Sequence, residues 1–185
     1  MTEKIYADTE EKMKKSLQSI QKDFASLRTG KASAALLDSV RVDYHGNIMP
    51  LNQLASISAP EARLLMVQAW DKSIVGEIVK AIQKADLGLN PVVEGNIIRL
   101  PIPSLNEERR RELVKHCKKI AEDGKVAIRN IRRDANEHLK KAEKEKAINE
   151  DEHKKGAERV QKLTDKYISL VDGLMAAKEK EIMEV

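Results

Sequence analysis

Residues 105–147 read LNEERRRELVKHCKKIAEDGKVAIRNIRRDANEHLKKAEKEKA, without proline and with one glycine, Gly124. Leu113, Cys117, Ile120, Gly124, Ala127, Ile131 and Ala135 recur by steps of three and four, with Ile128, Leu139 and Ala142 beside them. That spacing sets small and apolar side chains on one stripe of a helix. Ser104 and Glu107 have the spacing of a capping box, which starts the helix there. A helix of about 40 residues is about 60 Å long at 1.5 Å per residue.

Two further stretches repeat the pattern. Tyr6, Met13, Leu17, Ile20, Phe24 and Leu27 mark a stripe along residues 3–28. Val160, Leu163, Tyr167, Leu170, Leu174 and Ala177 mark another along 150–183, opened by Asn149 and Glu152 as a second capping pair. The link through Ala147–Asn149 is short, so the last two helices are antiparallel neighbours. A seam on each of three helices is shielded from water most simply by a bundle.

The middle differs. Val40–His45 alternates before Gly46-Asn47, Leu54–Ser58, Arg63–Ala69 and Asn96–Ile102 are short strand-like runs, and Asp71–Asp86 is helical, with Gly88 as its stop. The expected fold is α+β: an elongated antiparallel three-helix bundle, residues 1–29 plus 105–185, with an inserted α/β domain, 31–103. The chain crosses at Arg28-Thr29-Gly30-Lys31 and Pro103-Ser104-Leu105, segments short enough to act as hinges. Trp70 closes an apolar run and reads as core, with a partner contact as the alternative.

Composition narrows the function. Charged residues are 35% of the 185 and aromatics 3%, too few for an RNA-binding sheet of stacked rings. The single cysteine, Cys117, forms no intrachain disulfide and lies in an apolar seam, which fits a core thiol in a reducing compartment. The opening MTEKIYADTEEK lacks the apolar centre of a secretory signal, and no run is long enough to span a bilayer, so a cytoplasmic protein is expected. The histidines show no i,i+3 or i,i+4 pairing, and nucleotide-loop, zinc-protease and nucleophile-elbow motifs are missing. No enzyme, metal or cofactor is expected, and no small-molecule substrate.

Net charge is +4, and residues 105–150 hold the surplus, with 14 Lys and Arg against 10 Asp and Glu. There Arg111, Lys115, Lys118, Glu122, Lys125, Arg129, Arg132, Asn136 and Lys140 step by three and four beside the apolar seam, widened by Arg109, Arg110 and Arg133. A line of cations about 40 Å long fits a phosphate backbone. The same line also fits a solvated helix face with i,i+4 ion pairs, and pattern alone leaves both open. The density at Ile128–Arg133 tilts toward RNA. The rivals are a coiled-coil adaptor, which needs an exposed apolar seam, and a small enzyme, which needs a deep pocket in 31–103.

Several separate blocks resemble the bacterial ribosome recycling factor family. They are Leu27-Arg28-Thr29-Gly30-Lys31-Ala32-Ser33, Pro50–Ala55, Trp70-Asp71-Lys72-Ser73, Asp86–Pro91, Arg99–Pro103, Glu107-Glu108-Arg109-Arg110, Ala127–Ala135 and Val160–Asp165. The resemblance runs nearly end to end. It implies an L-shaped molecule of transfer-RNA-like size with a β/α/β sandwich as the inserted domain. It implies an activity as well, in which the factor, with elongation factor G and GTP, splits the post-termination ribosome. By position it implies that Arg129, Arg132 and Arg133, with Arg110 nearby, contact large-subunit ribosomal RNA; Lys118 and Lys125 belong to the same basic face. It implies further that Arg28–Lys31 and Pro103–Leu105 form the hinge, that elongation factor G pushes the α/β domain, and that the factor is a monomer without membrane contact. Two positions depart from the family's pattern: His45 stands where a tyrosine follows Tyr44, and Val185 where an aromatic end is usual.

Overall fold

A computed structural model describes residues 1–184; Val185 lies outside them. The elements are α1 (Thr2–Ala25), β1 (Arg41–Tyr44), β2 (Asn47–Pro50), β3 (Ala55–Glu61), β4 (Leu64–Ala69), α2 (Val75–Lys84), β5 (Val92–Glu94), β6 (Ile97–Pro101), α3 (Glu107–Lys144) and α4 (Glu150–Glu184). They form two units: Met1–Phe24 with Glu112–Lys180, and Ala25–Arg111 with the segment from Glu181 on. The first turn of α3 and the last residues of α4 therefore belong to the second unit. Both short connecting segments, 28–31 and 103–105, also lie within it.

The first unit is three helices. Glu3 of α1 pairs with Arg159 of α4, and Glu10 lies 3.9 Å from Lys166, so α1 and α4 run parallel. Gly124 of α3 meets Ile20 of α1, and Gly156 of α4 meets Leu139, so α3 is antiparallel to both. The buried stripe of α3 is Leu113, Cys117, Ala121, Ile128, Ala135, Leu139 and Ala142. It is rotated slightly from the expected one: Ala121 and Ile128 turn inward, and Ile120 and Ile131 are half-buried. On α4 the expected seam fails at two positions. Leu170 is 43% exposed and Ala177 is exposed, while Val171 is buried in their place. A helix of 3.6 residues per turn drifts from a strict seven-residue repeat, and the buried stripe follows the helix. Two buried hydroxyls are satisfied locally: Thr9 Oγ1 donates to the Ile5 carbonyl at 2.6 Å and Thr164 Oγ1 to the Val160 carbonyl at 2.8 Å.

Caps explain where helices begin and end. Asn106 Oδ1 accepts from Arg109 N–H at 2.8 Å, so Asn106 rather than Ser104 caps α3. Asn149 and Glu152 form the expected reciprocal box, both bonds 2.8 Å. Between them α3 ends with Lys146 at φ 58, Lys146 N–H donating to the Glu143 carbonyl and Ala147 N–H to the Ala142 carbonyl, which closes the turn in the left-handed manner usual for glycine.

The second unit holds a two-stranded sheet, β1-β2, and an antiparallel four-stranded sheet of order β3-β4-β6-β5. Helix α2 packs on β1 and β6. Val40, Val42, Leu65, Val67, Ile78, Ile82, Ile98 and Leu100 make the core. His45 and Gly46 both take positive φ, 52 and 87, which is the two-residue hairpin turn joining β1 to β2. The expected strand thus stops at Tyr44, and His45 is a turn residue. Strand β3 is an edge; its exposed Pro60 lacks a donor, and its register shifts between Ser58 and Glu61. Helix α2 stops with Asp86 at φ 50, ahead of the expected Gly88. Trp70 is not core. Leu65, Val67 and Ala69 point inward, and the period of two leaves Trp70 67% exposed. Among the described residues no helix is long and apolar enough to cross a membrane.

Candidate RNA interface

The basic residues of α3 divide by what each one touches. Lys118 and Arg133 are exposed, while Arg129 and Arg132 are half-buried. Among the described residues, Lys118, Arg129 and Arg132 make no ion pair. Arg133 Nη1 donates only to Asn130 Oδ1, at 3.4 Å. These four cations lie on one flank of α3 with no acid among the described residues paired to them.

Lys125 is placed differently. Its ammonium pairs with Asp172 of α4 and lies 3.4 Å from Glu122. The bond to Asp172, against some desolvation, holds its pKa above the usual lysine value. Lys125 therefore ties α3 to α4 within the basic line. Arg110 belongs to the second unit. It is half-buried, its Nη1 reaches the Met183 carbonyl at 3.5 Å, and its Nε is buried without a partner. The exposed Arg111 is bound to Glu107 at 2.6 Å. Of the six residues singled out for RNA, the helix brings Lys118, Arg129, Arg132 and Arg133 to one free face, interposes Lys125, and turns Arg110 toward the end of α4.

The connecting segments are tied within the second unit. Arg28 Nη1 donates to the Gly88 carbonyl at 3.2 Å. Thr29 is buried, and its Oγ1 donates to Glu181 Oε1 at 3.1 Å. Gly30 is buried at φ 83, a conformation that disfavours any side chain, while α1 has already ended at Ala25; Gly30 thus serves the connection and not the helix end. Lys31, Pro103 and Ser104 are exposed, and Leu105 is buried. The residues next to the two segments meet the β3–β4 turn through the backbone: Ala32 N–H donates to the Ala62 carbonyl at 2.7 Å, and Ile102 N–H to the Arg63 carbonyl at 2.8 Å.

The rival sites are weaker. Large exposed apolar residues on the three long helices are Val126, Leu170 and Met183, dispersed and not a seam. A groove of about 470 Å³ runs between α2 and the β1–β2 hairpin, lined by Arg41, Asp43, Ile48, Glu77, Lys80 and Lys84. In it Arg41 is engaged with the carbonyls of Asp38 and Val40, and Glu77 lies 3.5 Å from Lys80. Among the described residues no group of carboxylate, histidine or cysteine side chains is arranged to hold a metal. Sequence reasoning missed the role of Asp172; antiparallel pairing of the last two helices was the signal that could have found it.

Comparison with known proteins matches this geometry. The family model for ribosome recycling factor matches residues 20–183. A ribosome-recycling factor of Syntrophomonas wolfei is 57% identical over 185 residues, covering all of both chains. That of Bacillus subtilis is 54% identical over the same span, again complete on both sides. A solution structure of a ribosome recycling factor superposes with a TM-score of 0.81 at 47% identity, covering 100% of this chain and 98% of that one. A second likeness, TM-score 0.70 at 46% identity and 98% coverage of each, is to models for the T. thermophilus factor and E. coli elongation factor G bound to the E. coli post-termination complex. Three long helices, a small antiparallel sheet unit and a full-length match place this chain in the ribosome recycling factor family.

Proposed function

We propose that this chain recycles ribosomes: with elongation factor G and GTP it splits the post-termination ribosome and frees it from messenger RNA. The observation that carries the reading is the full-length relationship to ribosome-recycling factors, joined to a flank of α3 whose four cations have no acid partner among the described residues. Arg129, Arg132, Arg133 and Lys118 grip phosphates of large-subunit ribosomal RNA, the arginines as forks and the lysine as a point charge. Arg110 joins them once it leaves the Met183 carbonyl. Lys125 holds α4 in register behind them. The segments Arg28–Lys31 and Pro103–Leu105 are where the chain pivots, and the sheet unit receives the push of elongation factor G.

The factor acts as a monomer in the cytoplasm, where ribosomes are, and brings no chemistry of its own. GTP is hydrolysed on its partner. Its work is differential binding: it shifts the ribosome toward the split state only as far as it binds that state better.

The test is a splitting assay on purified post-termination ribosomes with elongation factor G and GTP. The chain should convert 70S particles to subunits, and particles left intact under complete conditions would refute the function. In the same assay Arg132→Glu should weaken large-subunit binding at least about ten-fold at moderate salt, since one phosphate contact is lost and a repulsion gained. Circular dichroism should show unchanged helicity. Unchanged affinity would remove this face from the mechanism.

A further inference from the structure

The cation flank of α3 has borders. At about 100° per residue, Lys118, Arg129, Arg132, Arg133 and Asn136 fall within about 100° of arc beside the buried stripe. The next arc outward carries Asp123, Asn130, Asp134 and Glu137, with Lys119 and Lys141 at its two ends and no cation between them. Asp123, Asp134 and Glu137 are exposed, and among the described residues none of them forms an ion pair. The other border is α4. Its antiparallel register, set by Asp172 on Lys125 and Gly156 on Leu139, brings Asp165 opposite Arg132. Asp165 accepts from Gln161 at 2.9 Å, on its own helix. The free cations thus occupy a strip with carboxylates on both sides.

A chain selected only to stick to polyanions has no use for unpaired carboxylates beside its arginines. Each one weakens attraction for any phosphate lying off the strip, and the effect reaches about one Debye length, about 8 Å at physiological salt. A projecting backbone ridge of folded RNA sits over the arginines and escapes most of it. A flexible strand spread across the helix meets it fully.

We propose that Asp134 and Glu137, with Asp165 on the facing helix, are specificity-determining residues of the RNA interface: they narrow it to one backbone ridge and disfavour unstructured RNA. This rests on α3 being the RNA-binding face. The groups facing the strip are Lys125 and Glu122 on α3 and Asp165 and Asp172 on α4; of these Lys125, Glu122 and Asp172 are already paired with one another.

The experiment compares purified large subunits with poly(U) as ligands, at low and physiological salt. Asp134→Asn with Glu137→Gln should raise poly(U) affinity about four-fold at low salt, the effect of two unit charges about 10 Å from phosphate in water. Large-subunit affinity should change less than about two-fold, so the preference for subunits falls. A control pair, Asp8→Asn with Glu61→Gln, adds the same net charge elsewhere and should leave poly(U) affinity unchanged. The inference is overturned if poly(U) binding does not rise, if both ligands gain equally, or if the control pair gives the same gain. Arg132→Glu separates the two levels. If it weakens subunit binding while selectivity ignores Asp134 and Glu137, only the inference fails; if it leaves subunit binding intact, the RNA face fails and takes the inference with it.

Discussion

The three-helix unit and the sheet unit solve the burial problem in opposite ways. In the first, each helix buries one thin stripe, which on α3 includes the three alanines Ala121, Ala135 and Ala142, and shows water a charged surface over most of its circumference. In the second, two sheets and α2 close around Val42, Leu65, Val67, Ile78, Ile98 and Leu100, all fully buried, and charge is evenly balanced. A thin core spread over long helices maximises surface per residue and suits a body that presents charge along a line. A thick core in a small volume suits a body that receives force without deforming. The difference fits the two roles proposed above, a grip and a lever arm, within one chain of 185 residues.

The contrast can be broken most directly at the thick core. Ile98→Ala should destabilise the sheet unit by about 4 kcal/mol, since the site is sealed and the cavity stays. Trp70, the only tryptophan, reports that unit by fluorescence, whereas circular dichroism is dominated by the long helices. The fluorescence transition in urea should shift far more than the helical one. Coincident shifts would mean that the two units unfold as one. A smaller effect of opposite location is expected from Gly124→Val. A Cβ there falls inside contact distance of Ile20 Cδ1 and 2.8 Å from its Cγ1, and Ile20 is itself buried. The cost is about 2 kcal/mol. It should move the helical transition and leave Trp70 fluorescence in place. The smallest effect is at the surface. Trp70→Ala should alter stability by no more than about 0.5 kcal/mol, because the ring is mostly in water. A loss of splitting activity at unchanged stability would mark Trp70 as a contact for a partner protein; a large fall in the melting temperature would show that the ring packs after all.

The helices are legible because periodicity reports which face is buried, and the Asn149–Glu152 box is legible because its chemistry is local. What sequence hides is phase and pairing. The seam on α4 slips from Leu170 to Val171 because the true helical period is longer than the steps that trace it. Ser104 and Asn106 are both good caps, and only the path of the chain selects Asn106. Strands β2 and β5 escape notice because they are short and none of their residues is fully buried, so they carry no apolar alternation. The size of Trp70 argues for the core, although the alternation of Leu65, Val67 and Ala69 already points it outward. In the candidate site the arginines are legible as a row. That Lys125 is spent on Asp172 is not, since it depends on which residues of α4 come alongside.

The ties of Ala32 and Ile102, next to the two connecting segments, to Ala62 and Arg63 have a consequence for how this molecule tolerates change. Both are amide-to-carbonyl bonds, so no side chain carries them. Drift in amino-acid identity at Ala32, Ala62, Arg63 or Ile102 leaves the attachment standing, and only proline at 32 or 102 deletes a donor. Because the two bonds land on consecutive residues of one hairpin tip, tension in either segment is delivered to the same point of the sheet.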